Sequence, residues 1–93
     1  MGAVGADVGQ LRDFSRSLNR RAELIEGLLA KLDPVVRDMP WVGADRDRFV
    51  EEWQQVHHKG LLRLALDLRT TSTSCNQHAD RQEQASRAGH GSW

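Results

Sequence analysis

The sequence predicts an all-α protein: an antiparallel helix-turn-helix hairpin that needs a partner. Three observations lead there. Two long segments carry apolar residues at heptad-like spacing. Between them stands the one strong break in the chain, Pro40-Trp41-Val42-Gly43. And 93 residues arranged as one helix pair have a single internal seam in which to bury apolar surface, so a partner is expected to cover the rest.

Helix 1 is predicted over about residues 7–38. Residues 1–6 are small and aperiodic and are expected to fray. Asp7 followed by Gln10 reads as a capping box, with the apolar pattern starting at Val8. Val8, Ala22, Leu29 and Val36 occupy one heptad position, Ser15 being the polar exception, and Leu11, Leu18, Ile25, Leu32 and Met39 occupy the other. Phe14 and Leu28 widen that seam, while Leu24, Leu28 and Val35 form a second stripe that one neighbouring helix cannot cover as well. Asp33-Pro34 reads as a local restart with Asp33 as cap, which predicts a kink near residue 33.

The turn is predicted at 40–43. Pro40 lacks a backbone donor and biases Met39 out of the helix, Gly43 can take a positive φ, and Trp41 is expected in the mouth of the hairpin against the end of the core.

Helix 2 is predicted over about residues 44–86. Asp45, Asp47, Glu51 and Glu52 crowd its first turns, where the positive end of the helix dipole favours acids. Phe49, Val50, Trp53, Val56, His57, Gly60, Leu61, Leu64, Leu68, Thr71 and Cys75 fall on one broad face, expected to be the buried one, with Leu62 and Leu66 nearly opposite. Residues 62–68 also alternate like a strand, but leucine and alanine inside a longer helical pattern favour helix. Thr70-Thr71-Ser72-Thr73-Ser74 is expected to bend or fray, and residues 87–93 to form a flexible tail. Gly60, on the expected buried face, suggests close backbone approach between the helices.

Lysine plus arginine and aspartate plus glutamate number 13 each, so no basic patch marks a nucleic-acid reader. A lone cysteine, Cys75, forms no internal disulfide. No stretch reads as a signal peptide or a membrane span, which by general rules keeps the chain in the cytoplasm. Catalytic and metal readings are both weak. Cys75 and His78 are spaced like a nucleophile and base but come without an orienting acid. His57-His58 point about 100° apart on a helix and match no zinc spacing. Neither a cofactor nor a metal is expected. Leu62 and Leu66, away from the seam, read as a dimer contact; Arg12, Arg16 and Arg20 as a solvated face; Trp93 as the end of the tail or a recognition tag.

Trp41-Val42-Gly43 in the turn, Phe49 eight residues after the tryptophan and Trp53 beyond it, in a helical hairpin of this length, resemble the Trp-X-Gly superfamily of small substrates of type VII (ESX) secretion systems in Gram-positive bacteria. The resemblance covers nearly the whole chain. It implies a non-enzymatic protein that dimerises, with itself or a paralogous Trp-X-Gly protein, into an antiparallel four-helix bundle, secreted folded without a cleaved signal peptide through the secretion ATPase, with Trp41 and Gly43 as a turn and export motif. Leu11, Leu18, Ile25, Leu28, Leu32, Phe49, Trp53, Leu61, Leu62, Leu64, Leu66 and Leu68 are then the expected helix-packing and dimer-interface residues. One departure stands out: the family's tyrosine-containing export motif beyond helix 2 is missing, because the chain has no tyrosine. The alternative reading is a cytosolic helical-hairpin adaptor or chaperone-like dimerisation module.

Overall fold

The structure, a computed structural model, describes residues 7–91, with side chains to residue 87; the segment 1–6 expected to fray and the proposed tag Trp93 lie outside the described residues. Within them every regular element is helical. Helix α1 spans Val8–Arg37, α2 Ala44–Glu52, a π-helical turn Trp53–His58, and α3 Lys59–Gly91.

Asp7 caps α1 as its sequence context predicts, its carboxylate accepting from the backbone N–H of Gly9 at 2.7 Å. The helix then runs through Pro34 without restarting, and Asp33 serves another purpose than capping, described below. At the turn Gly43 takes φ +118° and ψ −177°, the one positive φ among the described residues, and its backbone opens α2. The Arg46 guanidinium reaches back to the carbonyl of Arg37, satisfying one of the acceptors left open at the end of α1.

The second limb departs from expectation in three ways. It is interrupted by the π turn. It does not bend or fray at Thr70–Ser74, which lies inside α3, and helix continues past residue 87 to Gly91, where a tail was expected. And its buried line differs from its line of large apolar residues. Ala65, Ser72 and Ala79, seven apart, are the buried residues of α3, facing Ser15, Leu18, Ala22, Leu29 and Val36 of α1. The cause is size. Small side chains let two helix backbones approach closely, and here closely enough for two reciprocal hydrogen bonds: Ser15 Oγ donates to the Ser72 carbonyl at 3.1 Å, and Ser72 Oγ to the Ser15 carbonyl at 2.9 Å. The polar exception in the α1 heptad is thus a structural contact, with both hydroxyls satisfied where an orphaned one would be costly.

The hairpin is long and thin, about 75 × 18 × 17 Å, with a radius of gyration of 20.9 Å. A compact chain of this length would have about 12 Å. One seam is therefore all the internal burial the described residues obtain, and the outward faces decide what else the molecule can do.

Candidate functional site

Taking about 100° per residue around each axis from Ala22 in α1 and Ala65 in α3 sorts the flanks of the seam into two unlike faces. One is polar and pinned across the helices. Near the open end Arg12 bonds Asp80 at 2.9 Å and also reaches Glu83. In the middle Arg69 grips Glu26 with two bonds, Nη2 at 2.6 Å and Nε at 3.2 Å, which hold the Glu26 carboxyl below its ordinary value. Near the turn Asp33 Oδ1 accepts from Trp53 Nε1 at 2.8 Å and from His58 Nδ1 at 3.0 Å. Those two donors, the indole first, lower the Asp33 pKa. Arg12, expected on a solvated stripe, is instead part of this pinned face.

The other face is apolar and unpinned. Phe14, Ile25, Leu28 and Leu32 of α1 and Leu61, Leu64 and Leu68 of α3 fall on it by the same angular count, and Phe14, Leu28, Leu32 and Leu64 are substantially exposed. Leu24 and Val35, farther round α1, are exposed as well.

The predicted residues therefore divide. Leu18 is buried in the seam, while Leu11, Ile25, Leu61 and Leu68 flank it half-buried. Leu64, expected inside, is 47% exposed, because the small-residue line Ala65–Ser72–Ala79 takes the place facing α1 and turns the leucine stripe outward. Leu62, expected nearly opposite the seam, instead borders a hollow with Asp33, Val36, Trp53 and His58. Leu66 is exposed. The close approach expected at Gly60 is absent: a methyl group placed on Gly60 or on Gly27 would meet no atom within 4 Å. Gly60 lies instead in an open groove with Phe49, Trp53, Val56 and Leu61.

At the turn, Trp41 meets Phe49 edge-on, ring centroids 6.0 Å apart, yet keeps 44% of its surface exposed, and Val42 is 92% exposed. The Trp41–Gly43 turn is thus a projecting feature supported on one edge. Cys75 is half-buried, and His78 contacts Arg81 at 3.1 Å. His57 lies 3.7 Å from Glu52, so the adjacent histidines face different partners. Among the described residues no group of three His, Cys, Asp or Glu side chains could hold a metal ion, and no helix is long and apolar enough to cross a membrane.

Sequence reasoning missed two features. The line Ala65–Ser72–Ala79 carries a signal, small residues at intervals of seven that complement Ser15 and Ala22, but hydrophobicity favours the leucines beside it. Asp33 beside proline reads locally as a cap; only the partner helix reveals it as an acceptor. Compared with known protein families, curated proteins and solved structures, the chain shows no match.

Proposed function

We propose that this is a non-enzymatic interaction protein that dimerises, with itself or a paralogous Trp-X-Gly protein, into a four-helix bundle and serves as a substrate or co-substrate of a type VII secretion system. One observation carries the reading: ion pairs pin one face of the hairpin, while the other presents Phe14, Leu28, Leu32 and Leu64 to solvent. A second apolar helix pair set against that face buries them, each leucine, already about half covered, contributing ~1 kcal/mol when the rest is covered. The exposed Trp41–Gly43 turn supports recognition by an export ATPase, because a signal must be readable on the folded molecule. In this reading the chain is cytoplasmic before export and secreted without a cleaved signal peptide. The lack of tyrosine favours a second reading, a cytosolic adaptor using the same dimer.

Solution mass of the chain expressed alone tests the dimer: a dimer is expected, and charging Leu28 and Leu64 together should yield a helical monomer. A cooperatively folded wild-type monomer excludes self-association. Export is tested by following the untagged chain in culture medium with and without the secretion ATPase. Trp41→Ala should lose ~1–2 kcal/mol of stability and a far larger share of export; normal export of the folded variant removes the signalling role.

A further inference from the structure

The buried and half-buried positions of the second limb carry a discontinuity. Phe49, Val50 and Trp53 face inward, and after them His58, Leu61, Ala65, Leu68 and Ser72. Every step is of one, three or four residues, as a helix face requires, except the step of five from Trp53 to His58. Those two residues are the ends of the π turn.

The extra residue has a definite effect. Carried back from Ala65 in plain α geometry, the seam would pass through His58 and Glu51 on one line and Leu61, Gln54 and Asp47 on the other, setting charged and polar groups against α1. One inserted residue rotates the preceding helix by about 100° and brings Phe49, Val50 and Trp53 there instead. Side chains five apart on an α-helix point about 140° from one another; in the wider π turn they come into line. Asp33 Oδ1 accepts from both of them.

We propose that Asp33 is a register latch: by accepting from Trp53 and His58 together it holds the π turn, and its release lets residues 53–58 close as α-helix and turns α2 about its axis. Because α3 is tied to α1 independently by the Ser15–Ser72 and Glu26–Arg69 bonds, the rotation falls on α2. Phe49 and Trp53 then align with Val56, Gly60 and Leu64, at spacings of four, three, four and four, as one continuous apolar stripe on the outer surface. In the latched form Phe49 and Trp53 are half-buried against α1 and share an open groove with Val56, Gly60 and Leu61; release turns both fully outward. The latch thus governs how much apolar surface the second limb offers a partner, whether or not the protein is a secretion substrate.

The test is nuclear magnetic resonance on the full-length isotope-labelled chain and its Asp33→Ala variant. In the variant, contacts between residues five apart across 53–58 should give way to contacts four apart. The Trp53 indole N–H should exchange about tenfold faster, with the Ser15 and Ser72 signals unchanged. A variant that keeps the five-residue turn, whatever its indole exchange rate, overturns the proposal. Should Asp33→Ala unfold the hairpin, deletion of Gln55 decides. With the extra residue gone, α geometry alone places Phe49 and Trp53 against α1, so the deleted chain should melt no lower than the intact one; a lower melting temperature overturns the latch.

Discussion

Toward the open end of the hairpin, α1 and α3 bury Ser15, Ala22, Ala65, Ser72 and Ala79 on regular heptads, whereas α2 and the π turn at the other end contain no buried residue at all. The contrast runs against side-chain size. The tightly packed end is built mainly of alanine and serine, with Leu18 among them, and the loosely packed end holds Trp41, Phe49 and Trp53. Small side chains bring backbones together and complete their burial within one helix pair. Large ones, on a limb with only one neighbour, are held by edges and single hydrogen bonds, Trp41 against Phe49 and Trp53 on Asp33. Burial therefore follows the register that lets backbones approach, and the surplus apolar surface is left at the turn end and along one face.

That comparison can be broken most forcefully in the seam. Leu29→Ala removes one of its few fully packed large side chains and should cost ~2–5 kcal/mol in denaturant unfolding; a loss under about 1 kcal/mol would mean that the seam is not the stabilising element. At the turn end the largest effect should come from backbone conformation rather than packing. Gly43→Ala meets no steric neighbour but must adopt φ +118° and ψ −177°, a region nearly reserved for glycine, at ~1–3 kcal/mol. Gly60→Ala should act oppositely, gaining up to ~1 kcal/mol of helix propensity in open space. If it instead weakens a dimer while stabilising the monomer, a partner uses that groove.

The smallest effect is acid sensitivity at the Asp33 contact. Its carboxyl is lowered by the Trp53 and His58 donors, with Arg37 adding to the effect and Lys59 bordering the same hollow. A depressed carboxyl stabilises the fold above its unfolded value, about 3.9, and that contribution is lost as pH falls through the lower folded value. The Trp53 indole resonance should therefore shift below about pH 4 while signals from Ser15 and Ser72 hold. A simultaneous shift of all three would mean that the two ends are not independent.

The hairpin itself was legible in the chain because its causes are local. Asp7 places the start of α1, Pro40 and Gly43 place the turn, and heptad spacing carries both limbs. In α1 the buried residues lie on the predicted heptad, Ala22, Leu29 and Val36 on one position and Leu18 on the other, while Leu32 of that second position and the stripe Leu24, Leu28 and Val35 stay exposed. The second limb offers two lines, leucines on one and alanine with serine on the other, and hydrophobicity favours the wrong one for the intramolecular seam. Only the partner helix decides between them, because how closely backbones approach belongs to the pair and cannot be read from either strand of sequence. The same is true of the π turn. Residues 53–58 contain nothing that demands a wider turn; the demand comes from α1, where Asp33 stands 20 residues before Trp53 in the chain and 2.8 Å from it in the fold.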